Sequence, residues 1–140
     1  MPNREATLAT IQRELTAFAR RARSKAARVH PKLSLVTYSM LDHMVETGGC
    51  RATDLACHFM LDKSTVSRQT ATLERLGLMV RETDPDDHRG QILRPSEEGL
   101  RLLRDAHEQR RATYEQRLAG WADDDLERLA GYLQRYNSEG

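Results

Sequence analysis

Between Asp62 and Leu76 the chain reads Asp-Lys-Ser-Thr-Val-Ser-Arg-Gln-Thr-Ala-Thr-Leu-Glu-Arg-Leu, a run crowded with short hydroxyls. Val66, Leu73 and Leu76, with Thr70 filling the gap, recur at helical spacing and make one buried stripe. Lys63, Ser64, Thr65, Ser67, Arg68, Gln69 and Thr72 are then left for a polar partner. Hydroxyls, Arg and Gln hydrogen-bond base edges in a major groove, and Lys and Arg pair with phosphates. An ordinary solvated helix has similar composition, so the flanking residues decide between the two readings.

Ala52-Thr-Asp-Leu-Ala-Cys-His-Phe59 places Leu55, Ala56 and Phe59 on one apolar edge, with Thr53 as the expected cap. Phe59-Met-Leu61 is a short apolar turn, and Asp62 stands where an N-cap belongs. Two helices joined by so short a turn form a helix-turn-helix. Gly77 ends the second helix in a left-handed conformation. Leu78-Met-Val-Arg-Glu-Thr83 then reads as a half-buried strand with Leu78 and Val80 inward. The turn formers of Asp84-Pro-Asp-Asp-His-Arg-Gly90 lead to a returning strand, Gln91-Ile-Leu-Arg94. A hairpin in this position is a wing. Arg89 at its tip is placed to enter a minor groove, where narrow A·T-rich segments concentrate negative potential.

In order and in residues this resembles the multiple-antibiotic-resistance regulator (MarR) family of winged-helix transcription factors. Leu33-Ser-Leu-Val-Thr-Tyr-Ser-Met-Leu41 is similar to that family's second-helix opening, and Ser64-Thr-Val-Ser-Arg68 to its recognition helix. Leu73-Glu-Arg-Leu-Gly-Leu-Met-Val-Arg81 resembles the join to the wing, and Asp84-Pro-Asp-Asp-His-Arg89 with Ser96-Glu-Glu-Gly99 the wing and the helix after it. The resemblance covers nearly the whole chain and implies a DNA-binding homodimer. Ala71 and Thr72 replace the family's usual Asp and Arg, which implies that a common helix-to-wing ion pair is absent. His88 stands for the second basic residue of the wing tip, and Pro95-Ser96 for the usual Leu-Thr, with Ser96 still able to cap.

A mainly α fold follows: a winged helix-turn-helix with a two-stranded β wing and a helical dimerisation region. One domain spans 1–140, with a DNA-binding lobe at 33–96 and dimerisation helices at 4–30 and 97–137. Leu8, Ile11, Leu15, Phe18, Ala19 and Ala22 form an apolar stripe in the first helix. Leu100, Leu103, His107, Tyr114 and Leu118 continue one helix from Ser96 to about Ala119. Leu126, Leu129, Ala130 and Leu133 mark a last one to Tyr136, capped by Asp123. With 31% charged residues in 140 and a mean hydropathy of -0.70, so much helix has a thin core of its own. Burial between two copies supplies the remainder.

The net charge of +1 is low for a nucleic-acid partner, so affinity rests on placement. Arg20, Arg21, Arg23, Lys25 and Arg28 cluster in one short piece, while acids crowd Asp123-Asp-Asp125. No apolar run approaches the ~18 residues of a membrane span, and no apolar signal core follows Arg4-Glu5. Cys50 and Cys57, ~10 Å apart on a continuous helix, are poorly placed for a disulfide, so a reducing cytoplasm is expected.

Other chemistries find less support. The five histidines offer no ligand pair at i, i+4 on one face, so neither a metal nor another cofactor is expected. No Gly-rich phosphate loop or Gly-x-Ser-x-Gly elbow points to an enzyme. The resemblance implies a small aromatic or phenolic ligand near the first two helices, with Phe18, His30, Tyr38 and His43 as candidate lining residues. These are equally explained as core. Two alternatives stand beside a DNA-binding repressor: a winged-helix adaptor that binds protein, since fold alone does not confer DNA binding, and a thiol-based redox sensor using Cys50 or Cys57.

Overall fold

A computed structural model describes residues 3–139. Among them the elements run α1 (Arg4–Val29), α2 (Leu35–Glu46), α3 (Ala52–Phe59), α4 (Lys63–Arg75), β1 (Met79–Thr83), β2 (Gln91–Pro95), α5 (Glu97–Arg117) and α6 (Asp123–Ser138). The chain divides into two compact units, one ending at Leu103 and one beginning at Arg104, with α5 continuing from the first into the second. No helix among the described residues is long and apolar enough to cross a membrane.

Side-chain oxygens set most helix starts. Asn3 accepts from the Ala6 amide at 3.2 Å, Ser34 from that of Thr37 at 3.2 Å, and Asp62 from that of Thr65 at 2.7 Å. α3 differs from expectation: its N-cap is Arg51, whose amide donates to the Asp54 carboxylate at 3.0 Å, and Thr53 lies inside the first turn. Ala122, not Asp123, is the N-cap of α6, with no side-chain cap bond. Asp123, Asp124 and Asp125 instead fill its first turn, where carboxylates favour the positive end of the helix dipole. Met60 closes α3 at φ 53° and Gly77 follows α4 at φ +75°. The left-handed conformation costs Gly77 no Cβ clash, as its place in the sequence indicated.

α2 is central to the first unit and touches α1, α4 and β2. Met40, Leu41 and Met44 on α2 are fully buried with Leu55 of α3, Val66 and Leu73 of α4, Met79 of β1 and Leu93 of β2. Such a core holds two short helices and a hairpin in fixed relation, since packed interiors deform little.

β1 and β2 pair antiparallel, with Arg81 opposite Leu93 and Val80 opposite Arg94. Leu93 also exchanges backbone hydrogen bonds with Cys50, 2.7 Å and 3.2 Å, so one residue of the α2–α3 connection acts as a third strand. The strand faces opposite to the sequence expectation. Met79 is buried and Val80 is 42% exposed, because Leu78 belongs to the turn before the strand and is buried there separately. Gly99 fixes the next join, since a Cβ on it would lie 2.2 Å from the Leu78 carbonyl oxygen. Ser96 caps α5 as expected, accepting from the Gly99 amide at 3.1 Å and donating to the Gly77 carbonyl at 2.5 Å.

The strand assignment predicts that Met79→Ala lowers unfolding free energy by about 2–5 kcal/mol. Val80→Ala is expected to change it by under ~1 kcal/mol. Urea titrations of both variants check this, and the reverse order would show Val80 to be the core residue.

Candidate nucleic-acid interface

α4 buries one side and bares the other. Val66, Thr70 and Leu73 are buried, the Thr70 hydroxyl donating to the Val66 carbonyl at 2.9 Å, and Leu76 is half-buried just beyond the helix. Lys63, Ser64, Ser67 and Arg68 are exposed, Thr65 and Thr72 partly so. Several hydroxyls already have partners inside the helix. Ser64 donates to the Asp62 cap at 3.0 Å, and Thr72 donates to the Arg68 carbonyl at 3.1 Å while accepting from Arg75. Hydrogen bonds from Thr65 and Ser64, with the Arg68 charge nearby, hold the Asp62 carboxyl below its ordinary range. The Arg68 guanidinium meets only the Thr65 hydroxyl, at 3.3 Å, in the hydrogen bonds and ion pairs among the described residues, leaving most of its five donors open. It borders a shallow groove with Ala71, Thr72, Glu74 and Arg75.

Gln69 does not share that exposed face. It is half-buried, and its Oε1 accepts from the Thr37 hydroxyl at 2.8 Å, while Ser34 and Thr37 hydroxyls sit 2.6 Å apart. Gln69 thus ties the middle of α4 to the first turn of α2. Because that partner lies 32 residues earlier, nothing in the local helix pattern marked it.

Three arginines seat the wing. Arg81 on β1 meets the Glu74 carboxylate at 3.1 Å and the Thr70 hydroxyl at 3.4 Å, both on α4. Ala71 and Thr72 carry no charge for the family's usual helix-to-wing ion pair; Glu74, about one turn further along α4, supplies the acid for a different one with Arg81. Arg94 on β2 donates to Glu82 at 2.8 Å across the strands and to the Gly48 carbonyl. Arg51, at the start of α3, donates to the buried Asp84 through Nε at 3.1 Å and also through Nη2, and lies 3.6 Å from Asp87.

The Arg51 guanidinium lies against Gly90, where a Cβ would come within 2.7 Å of its Cζ. Asp84 further accepts from the Asp86 amide at 2.9 Å, and its own amide donates to the Gly90 carbonyl at 3.0 Å. Arg51 and then the Asp86 amide hold the Asp84 carboxyl below its ordinary range, and Asp84 raises the Arg51 pKa in return. With both ends of the tip closed on Arg51, the Arg89 side chain projects into solvent, 98% exposed and 4.0 Å from Asp87. Arg89 stands in the hairpin tip, where the sequence placed it, whereas Arg51 was missed. The only local signal for Arg51 was an arginine directly before a helix that lacks a Ser or Thr cap.

The ligand candidates are dispersed. Phe18 is 50% exposed, Tyr38 is 3% exposed, and His30 is the C-cap of α1. The rise of a helix separates Phe18 from His30 by ~18 Å, more than one small aromatic spans. His43 stacks on His58 of α3, ring centroids 4.0 Å apart, with Phe59 edge-on to both. Cys50 precedes α3 and does not share a helix with Cys57; it is buried, and burial raises its pKa. Cys57 is exposed. No group of three or more metal-ligating side chains gathers among the described residues.

Asp84 has a depressed folded pKa, so its contribution is complete above the unfolded value near ~3.9 and is lost as pH falls through the folded one. Arg51→Ala and Gly90→Ala are expected to raise amide exchange in residues 84–90 at neutral pH while leaving α4 protected. Asp84→Asn should reproduce the acid-induced loosening. Unchanged exchange at the tip in all three variants would remove Arg51 from its anchoring role.

The MarR family model matches residues 33–90, the span from just before α2 to the tip of the wing hairpin. YxaD, an uncharacterized HTH-type transcriptional regulator of Bacillus subtilis strain 168, is 36% identical over 129 residues, 91% of this chain and 90% of its own length. A probable transcriptional regulator from Pseudomonas aeruginosa is 27% identical with a TM-score of 0.70, covering 90% of this chain and 96% of its own. The PcaV transcriptional regulator of Streptomyces coelicolor, solved in complex with its natural ligand, is 22% identical with a TM-score of 0.72 over 99% and 96% of the two chains. The helix-turn-helix, the braced wing and these likenesses together establish that the chain belongs to the MarR family of transcriptional regulators.

Proposed function

We propose that this regulator is a cytoplasmic homodimeric repressor that binds a pseudo-palindromic operator in double-stranded DNA. The observation carrying the reading is the bare Lys63–Ser64–Ser67–Arg68 side of α4 beside a fixed hairpin whose tip extends Arg89. Arg68 reads a base edge in the major groove, with Ser64, Thr65 and Ser67 around it and Lys63 on phosphate. Thr72 borders the same groove. Gln69 contributes by holding α4 on α2. Arg89 enters the minor groove or meets its phosphates.

Pairing of two copies is supported by apolar side chains that the single chain leaves uncovered. On α1 these are Leu8, Ile11, Leu15 and Phe18, 40% to 53% exposed; near and on α6 they are Trp121, Tyr132, Leu133 and Tyr136, 45% to 65% exposed. Covering the exposed half of each such side chain contributes about 1 kcal/mol, roughly half the value for burying a fully exposed one. The helices at 4–30 and 97–137 are thus the dimerisation region, and 33–96 the DNA-binding lobe. A two-fold pair would present its α4 helices about one duplex turn, ~34 Å, apart. A small aromatic effector that changes this spacing would release the operator, as expected for a two-state equilibrium biased by ligand. PcaV, which shares the fold, is solved with its natural ligand and supports that part by analogy.

Gel shifts against selected genomic fragments test the reading. Arg68→Ala is expected to cost about 1–3 kcal/mol of discrimination between the selected and an unrelated duplex. Arg89→Ala should weaken binding and flatten the salt dependence by roughly one phosphate contact. Operator preference unaltered in both variants would place recognition elsewhere. Light scattering should find a dimer at micromolar concentration; a monomer that still binds DNA specifically would refute the two-fold arrangement.

A further inference from the structure

The charge of this chain is unevenly divided. Residues 33–103, which include the helix-turn-helix and wing, hold eight basic and eleven acidic side chains, a net of -3. Residues 3–32 hold eight basic and two acidic ones, a net of +6, and no acid occurs between Glu14 and Asp42. The lobe that must approach a polyanion is therefore repelled by it on balance, and the compensating charge sits on α1 and the loop after it.

That charge has a defined side. At the angular step of an α-helix, Leu8, Ile11, Leu15, Phe18, Ala22 and Ala26 lie along one face; Arg20 lies nearly opposite it, Arg28 beside Arg20 on that side, and Arg21 on the flank. The three arginines and Lys32 are exposed and form no ion pair with an acid among the described residues. The large exposed apolar side chains of α1 end at Phe18 and the arginine cluster begins at Arg20, so the cations lie beyond the side chains available for pairing two copies. Within a two-fold seam they would repel their own images.

The lower end of this basic side is beside the recognition helix. Ser34 and Thr37 hydroxyls touch, and Thr37 donates to Gln69 in the middle of α4. Lys32 is two residues before Ser34, a reach of at most ~7 Å, and Arg28, in the last turn of α1, is four residues before Lys32, a reach of at most ~14 Å. The Lys32 amide donates to His30 Nδ1 at 3.1 Å and the Leu33 amide to the His30 carbonyl at 3.0 Å, which keeps the connection tight.

We propose that the basic side of the C-terminal half of α1 and the following loop, centred on Arg28 and Lys32, is a phosphate-binding surface for DNA flanking the groove that α4 reads. This rests on the DNA-binding reading above and adds contacts outside the helix-turn-helix and wing. The surface holds backbone and reads no base, so it raises affinity for every duplex alike.

Fluorescence anisotropy with the full chain tests it, using one duplex selected from genomic DNA and one unrelated duplex of equal length across a range of KCl concentrations. Arg28→Gln with Lys32→Gln is expected to weaken both duplexes by the same factor, roughly ten-fold near 0.1 M salt, and to flatten the log–log salt slope by about 1.8. Arg28→Lys with Lys32→Arg, which keeps the charge, should restore affinity and slope. Circular dichroism confirms folding in each variant. Wild-type affinity and slope in the Gln pair would overturn the proposal, as would a loss confined to the selected duplex or one that the charge-keeping pair fails to restore. Should the unmodified chain show no preference between duplexes and Arg68→Ala change nothing, the DNA-binding reading falls as well; normal preference with an insensitive Gln pair overturns this surface alone.

Discussion

A helix that reads another molecule must be rigid while leaving one whole side bare, and the seating of α4 is the constraint that the rest of this structure meets. Val66, Thr70 and Leu73 supply the buried side, and packing against α2, α3 and the hairpin fixes its rotation. Two polar ties then act on its middle and its end. Gln69 is held by Thr37, and Glu74 by Arg81. Each tie spends a side chain that would otherwise face outward. The exposed side that remains is narrower than the sequence alone suggests, and it centres on Arg68.

The wing has the complementary problem. A two-stranded hairpin is at best marginally stable by itself in water. Here the Cys50–Leu93 bridge lends it part of a third strand, and the Arg51–Asp84 pair closes its tip against the start of α3. Gly90 matters for the space it leaves to a guanidinium. The result is a fixed base under an exposed Arg89, whose side-chain ion pair among the described residues is the long one to Asp87.

What was legible in the residues follows the range of the interactions. The caps at Asp62 and Ser96, the stripe of α4 and the left-handed Gly77 depend on neighbours within a turn or two, and their spacing was readable directly. Thr37–Gln69 and Arg51–Asp84 join residues 32 and 33 apart, and no local period signals either pair. The inverted faces of β1 have a related cause. Leu78, Met79 and Val80 are all apolar, so alternation could not choose a face, and the turn after Gly77 chose it. Phe18, His30, Tyr38 and His43 were grouped by resemblance, and the helical rise keeps the first two apart.

Sequence-specific contact by α4, flanked by the wing, is most directly tested by hydroxyl-radical footprinting of the unmodified chain on a genomic fragment it selects. Two protected half-sites about one duplex turn apart are predicted, each bordered by a protected minor-groove segment that is lost in Arg89→Ala. Uniform protection along the fragment, or one protected site with no two-fold repeat, would contradict recognition by a symmetric pair of α4 helices.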